Sequence, residues 1–447
     1  MSVVVRYGPL VALCLFLSSI PGRAQEADDL RLDSDGTDDT AAIYDDLPPP
    51  PPPPRLRVPD REPPARRRRE TTDPFAPQGI HTGAFMLYPQ LEIGTMATSN
   101  AGGSSSDPEA DVALRLKPAL RIESNWSRHQ FTATGSAEML RYLDHEELAG
   151  NAATVDANLR LDVRESLQAN LDFGYNLTSS SSSDSEVPDS ATSSRIDHGL
   201  RAGVALARTG GLIEGRIRAG LARQIYGDVE LSGGGTEDNS DRNYTEFDLS
   251  IRGTFNNGAQ IRPFVEARYA PRVHDDREDR NGLKRNSHGY AVSAGLQLAD
   301  DPVWTGEIAA TYLIRDYEDE DLGLKSAPGL SANLKWQPTE LTTVDATASV
   351  ALNETSSADE AARTSWDFSA LMTHALRENI DIYGGATLDF EEADGGYDRT
   401  TGVRTGLIWR ANPYFAWSLG YEGSRFTGAS SDDYNEHRLL AGIILQR

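Results

Sequence analysis

The stretch LQANLDFGYNLT, residues 167–178, decides the fold. Leu167, Ala169, Leu171, Phe173, Tyr175 and Leu177 take every second position, and Gln168, Asn170, Asp172, Gly174, Asn176 and Thr178 lie between them. Successive side chains of a strand point to opposite faces, so this segment separates apolar from polar only when extended. The pattern recurs at 112–123, where Val112, Leu114, Leu116, Pro118, Leu120 and Ile122 alternate with Ala113, Arg115, Lys117, Ala119, Arg121 and Glu123. At 341–353, Val344, Ala346, Ala348, Val350 and Leu352 alternate with Thr343, Asp345, Thr347 and Ser349.

Outward from these segments, about 18 alternating stretches fill the chain from residue 83 to its end. They begin near 83, 111, 129, 151, 167, 195, 212, 243, 259, 286, 303, 324, 340, 363, 379, 398, 414 and 434. Their connections alternate too. One set is tight and carries turn residues, as at Thr209-Gly210-Gly211, Asn256-Asn257-Gly258, Gln337-Pro338-Thr339 and Asn412-Pro413. The other set is mostly longer and rich in Ser, Gly, Asp and Glu, as at 98–110, 179–194, 228–242 and 275–285.

Short turns on one side and long loops on the other are the asymmetry of a transmembrane barrel. The segments match the roughly 9–11 residues a tilted strand needs to cross hydrocarbon. The fold class is therefore all-β, a transmembrane antiparallel β-barrel over 81–447 in the bacterial outer membrane. Trp126, Trp304, Trp336, Trp409 and Trp417 all fall near tight turns, and only Trp366 lies near a long loop. Indole rings favour the headgroup level, so these five predict an aromatic girdle on the periplasmic side. Tyr142, Tyr175, Tyr226, Tyr244, Tyr269, Tyr312 and Tyr421 lie toward the opposite ends and predict the outer girdle.

Only 38% of the 447 residues are hydrophobic, and 68 acidic against 43 basic residues give a net charge of −25. A barrel with a wet interior accounts for the low hydrophobicity, since only alternate strand residues meet lipid. The acidity excludes a general nucleic-acid binder. The single cysteine, Cys14, sits in the apolar core of a secretory signal read over 1–24, which leaves no disulfide or thiolate metal site in the processed chain. Residues 25–80 read as a disordered periplasmic tail. They hold acidic clusters, the proline run Pro48 to Pro54 and the basic run Arg66 to Arg69. That tail is either a solvated tether or a contact for a periplasmic export or envelope partner.

The polar faces supply the candidate lumen. Arg115, Lys117, Arg121, Arg216, Arg218, Arg262 and Arg268 are basic candidates, and Asp156, Asp162, Asp172 and Glu266 are acidic ones, with Glu214, Glu307 and Asp389 alongside. Charges in a pore select ions and orient polar solutes, or else pair with one another and keep the lumen wet. The acidic loop runs at 275–280, 318–321, 391–394 and 431–433 read as a solvated outer surface or as carboxylates bridged through divalent cations to lipopolysaccharide phosphates. The DxDxDG spacing of a calcium loop is absent, as are HExxH and GxSxG, and no cofactor or metal is expected. The eight histidines are scattered; His129 near Ser127 is the closest approach to a catalytic pair, at a periplasmic turn. The reading is a non-enzymatic channel for polar solutes or exported polysaccharide, in contact with outer-membrane lipids. The alternative is an anchoring barrel whose tail binds a periplasmic partner.

The segment AFMLYPQLEIGTMATSN, its Gly/Ser loop, LRLKPALRIESNWSRHQFTATGSAEMLRY and then NLRLDVRESLQANLDFGY resemble the beta-barrel porin 2 family of outer-membrane proteins. The resemblance is strongest over 84–225. It implies a porin-like barrel, with some members associated with exopolysaccharide export, and it implies no catalytic residues. The chain ends Leu445-Gln446-Arg447, whereas many outer-membrane barrels end in an aromatic residue.

Overall fold

A computed structural model describes residues 73–180, 188, 190–298, 302–355, 361–393, 396–429 and 433–447. The expected signal segment and all but the end of the expected tail lie outside the described residues. Eighteen antiparallel strands form the wall. They are β1 (Phe85–Thr98), β2 (Asp111–Ser124), β3 (Gln130–Tyr142), β4 (Gly150–Arg164), β5 (Leu167–Ser180), β6 (Arg195–Arg208), β7 (Ile213–Ile225), β8 (Tyr244–Phe255) and β9 (Ile261–His274). The wall continues with β10 (Ser287–Leu298), β11 (Trp304–Tyr317), β12 (Leu324–Thr339), β13 (Thr342–Glu354), β14 (Ala362–Arg377), β15 (Ile380–Ala393), β16 (Gly396–Asn412), β17 (Phe415–Thr427) and β18 (Tyr434–Gln446). A short strand, Ile80–Thr82, folds back on the start of β1.

Each strand pairs with the next in sequence, and β1 pairs with β18 from Gln90↔Gln446 to Thr98↔Arg438. Closure pairs the wall all the way round, as hydrocarbon requires, except in the loop-side part of the β12–β13 seam, where pairing stops at Ala332↔Ala348. Stepping from partner to partner once around the wall, starting at Gly94, returns to β1 about 22 residues away. With a strand spacing of ~4.8 Å and a rise of ~3.3 Å, that stagger gives a tilt of roughly 40° and a backbone radius of roughly 18 Å.

The outward face is aliphatic along its middle. On β2 the exposed residues are Val112, Leu114, Leu116 and Leu120; on β7 they are Ile213, Ile217 and Leu221; on β9, Ile261 and Val265. Exposed apolar side chains repeated around most of the wall are what lipid requires. At the tight turns the local chemistry is simple. Gly258 adopts φ 81°, and its N–H donates to Asn256 Oδ1 at 3.1 Å.

The five tryptophans near the tight turns are exposed, between 37 and 46%, and several meet one another or a neighbouring ring. Trp304 and Trp336 are directly paired across β11 and β12 and stack at 5.2 Å. Trp409 pairs with Trp417, and Trp126 meets Phe85 edge-on at 5.5 Å. The outer set needs a correction. Tyr175, Tyr269, Tyr312 and Tyr421 fall on the same strand face as the exposed aliphatic side chains. Tyr142 and Tyr244 sit on the inward parity of β3 and β8, and Tyr226 is half-buried among the loops. The tilted strands carry their inward faces up into the loop cluster, so closeness to a loop does not place a ring in lipid.

Candidate functional site: the charged lumen and its outer mouth

Every basic and acidic candidate read from the sequence falls on the inward parity of its strand, opposite the exposed aliphatic set. They do not form opposed basic and acidic ladders. Most interleave as ion pairs, some within one strand and others between strands up to three apart, whereas Asp389 is paired in register with another acid, Asp367. Arg115 donates to Glu92 and Glu138, both at 3.1 Å, and Lys117 lies 3.5 Å from Glu138. Arg218 forks between Asp172 and Asp248 at 2.8 Å each. Arg201 pairs with Asp156, Arg262 lies 3.9 Å from Glu214, and Arg252 reaches Glu307 at 2.7 Å and Glu266 at 3.7 Å. Arg160 neighbours Asp162 at 3.4 Å. Arg121 pairs with Glu123 and lies over the Tyr88 ring. Arg216 is exposed and has no ion pair among the described residues.

These contacts follow from tilt and register. Arg218 is paired in register with Ala205 and Ser250, yet its guanidinium reaches Asp172 on β5 and Asp248 on β8. It passes over Gly203 and Gly220, where an added Cβ would come within 3 Å of its guanidinium. Tyr383 makes the same use of space on the opposite wall. Its hydroxyl sits where a Cβ on Gly406 would come within 2.4 Å.

The other side of the lumen carries hydroxyls. Ser293 and Thr311 are 3.0 Å apart, Thr311 and Ser331 3.1 Å, and Thr347 and Ser369 2.7 Å, spanning β10 to β14. Arg201 and Asp156, near the middle of β6 and β4, keep 54% and 51% of their side-chain exposure.

At the loop end the exposed lumen candidate Arg268 leads into a more buried charge cluster whose other members the sequence did not single out. Glu246 on β8 accepts from Arg268 at 3.0 Å, Arg272 at 2.9 Å and Arg315 at 3.0 Å. Arg272 also donates to Glu354 at 2.7 Å, and His274 Nε2 lies 3.0 Å from the same carboxylate. Glu354 ends β13, four strands from β9. The reach is possible because β12 and β13 stop pairing beyond Ala332↔Ala348, and the β13–β14 tip leans over the mouth. Val350 fills the space a Cβ on Gly329 would need, and Trp366 Nε1 donates to the Pro328 carbonyl at 3.0 Å. One signal for Glu354 existed in the sequence, because it continues the apolar parity of Val344 to Leu352.

The loops above are tied inward rather than simply solvated. Arg280 donates to Asp241, Glu237 and Asn239, and Arg285 donates to Asp279 at 2.6 Å. The Arg280 hydrogen bond holds Asp241 below the usual carboxylate range. Burial pushes Asp279 up, and Arg285 with the Leu283 and Asn281 N–H groups brings it below that range. Burial raises the Tyr226 hydroxyl. Tyr317, Leu322, Ala361 and Ala362 form an apolar knot against Leu283 and Leu352, joining three loops. The acidic runs at 275–280 and 318–321 therefore supply struts as well as surface. His129, paired on paper with Ser127, accepts the Asp162 backbone N–H through Nδ1 at 3.2 Å. No cluster of metal-ligating side chains occurs among the described residues.

A closed wall with an aliphatic exterior, a charged interior and long loops on one side defines an outer-membrane β-barrel of the porin-like class. The chain belongs to the family described as Putative beta-barrel porin 2, whose model matches residues 73–447. No curated protein matches it. Among solved structures it is similar to the siderophore receptor PirA of Pseudomonas aeruginosa, at 10% identity and TM-score 0.38 over 81% of this chain and 80% of that one. It is also similar to PirA of Acinetobacter baumannii, at 7% identity and TM-score 0.38 over 80% of each chain. The FrpB iron transporter of Neisseria meningitidis matches at 9% identity and TM-score 0.37, over 76% of this chain and 62% of that one.

Proposed function

We propose that the barrel is a diffusion channel for polyhydroxylated solutes, sugar oligomers and exported polysaccharide included. The half-exposed Arg201–Asp156 pair carries this reading, because ions deep in the wall that keep half their exposure line water. A roughly 18 Å backbone radius leaves an aqueous path in a wall of this strand number. Paired guanidinium and carboxylate groups on one side and a hydroxyl belt on the other offer donors and acceptors without a strong net field. A sugar chain can exchange its hydrogen bonds with water for bonds to both walls. The loop cluster over β8, β9 and β11 partly covers the outer mouth and restricts what enters.

The test is single-channel recording of the refolded full chain in planar bilayers. A channel gives stepwise conductance, with brief blocks as neutral oligosaccharides are added. A barrel that migrates as folded on unboiled gels and passes no current overturns the reading.

A further inference from the structure

The outward face of β16, β17 and β18 changes character near the loops. Val403, Leu419 and Leu439 are exposed and aliphatic, at 51, 54 and 60%. Beyond them the outward positions become Thr401, Arg399 and Tyr397 on β16, Tyr421, Gly423, Arg425 and Thr427 on β17, and His437 and Asn435 on β18. Register places these together. Thr401 pairs with Arg425, Arg425 with Asn435, Arg399 with Thr427 and Gly423 with His437. Arg425 therefore lies diagonal to both Arg399 and His437, within reach of long side chains.

The three groups are available. Arg425 is 61% exposed, and its one described ion partner, Asp433, is 3.4 Å away and itself 46% exposed. Arg399 is exposed and makes no ion pair with a described residue. His437 stacks on Tyr421 with ring centroids 6.1 Å apart, and the Tyr421 hydroxyl is 2.9 Å from Nδ1. When that hydroxyl donates to Nδ1, the neutral imidazole carries its proton on Nε2, as a donor directed away from the pair.

We propose that this surface binds the phosphorylated sugar headgroup of lipopolysaccharide in the outer leaflet. Two guanidiniums and an imidazole donor lie directly above an aliphatic wall, which matches phosphate above acyl chains. Planar guanidiniums suit phosphate oxygens geometrically. A chain of net charge −25 repels anions as a whole, so a basic patch at this level is a local feature rather than part of a general field. Continuity with the aliphatic band commits the occupant to a lipid rather than to a soluble anion.

The experiment uses the full folded chain and vesicles containing diphosphorylated lipid A, dephosphorylated lipid A or neither. Wild type is compared with the triple variant Arg399→Gln, Arg425→Gln, His437→Gln, and folding is checked by heat-modifiable migration. Loss of three charge-assisted or neutral donors is expected to weaken binding to diphosphorylated lipid A by roughly tenfold or more. Wild type should show a similar loss on dephosphorylated lipid A, and millimolar inorganic phosphate should not compete. Equal binding by variant and wild type, or equal binding to both lipids, overturns the proposal. Full competition by inorganic phosphate assigns the patch to a free anion and overturns it as well. Should the triple variant not fold, Arg425→Gln against Arg425→Lys makes the same comparison, with equal affinities counting against the site.

Discussion

The carboxylate of Glu354 lies 2.7 Å from Arg272 and 3.0 Å from His274, and so joins the tip of β13 to β9 across the outer mouth. All three side chains are at most 9% exposed. Removing one member of a buried ion cluster strands the others. Glu354→Ala is expected to cost about 3 kcal/mol, the lower end for a buried pair, because Arg272 retains Glu246. The measurements are the midpoint of urea unfolding, which should fall, and the open-state conductance, which should rise as the β13–β14 tip is released.

Arg218 balances Asp172 and Asp248 at once. Arg218→Ala leaves two carboxylates facing the lumen without their shared cation. The reversal potential under a salt gradient should shift toward cation selectivity, with the larger shift at low ionic strength, where screening is weak. An unchanged potential would mean that the permeating path avoids this wall.

Gly406 and Gly384 make a paired test of packing. A Cβ on Gly406 would lie 2.4 Å from the Tyr383 hydroxyl and 2.4 Å from the Leu419 carbonyl, which cannot swing aside. A Cβ on Gly384 meets nothing within 4 Å. Gly406→Ala should lower the unfolding midpoint by about 1–3 kcal/mol equivalent, and Gly384→Ala should be within about 0.5 kcal/mol of wild type.

His145, in the connection between β3 and β4, places its two ring nitrogens 2.9 Å from Asp111 and 2.6 Å from Glu109. Its hydrogen bonds to Asp111 and then Glu109 raise its pKa above the ordinary value of about 6.5. The sign follows from linkage. A raised folded-state pKa stabilises fully below the unfolded value, and the gain is lost as pH rises through the folded one. Protection of the Asp144 and residue-145 N–H groups, which donate to Asp111, should fall between mildly acidic and alkaline pH. His145→Asn should remove that pH dependence of the protection factor.

The five turn-side tryptophans give a test of depth. Quenchers placed at the headgroup level should reduce their fluorescence more than quenchers at the bilayer centre. Trp336→Ala should also cost about 1 kcal/mol through loss of the Trp304 stack. Strong quenching from the bilayer centre would contradict the girdle.

Period two made the wall legible from sequence. The segments expected from 167, 195, 324 and 434 begin at those residues, and those expected from 259 and 398 begin at 261 and 396. Alternation also separated inward from outward charges, since Arg115, Asp172 and Arg262 follow the pleat. It did not reveal which acid each arginine meets, because that depends on stagger between strands. Nor did it place Tyr142, Tyr226 and Tyr244, whose surroundings are set by loops. The mouth was least visible, since Glu354 reaches Arg272 only where β12 and β13 part. Polar groups on the apolar parity were the one available signal. Glu354, Arg399, Arg425 and His437 all carry it.

The seam between β1 and β18 joins Gln90 to Gln446, nearly the whole barrel apart along the chain. Every other wall contact links neighbours in sequence and can zip up locally. This one pays the largest loop-closure entropy and gains nothing until both ends arrive. Its formation is therefore the commitment step of assembly. Before it, the sheet has two bare backbone edges that favour pairing with other chains. After it, both of those edges are paired, and re-exposing them requires a seam of the wall to open.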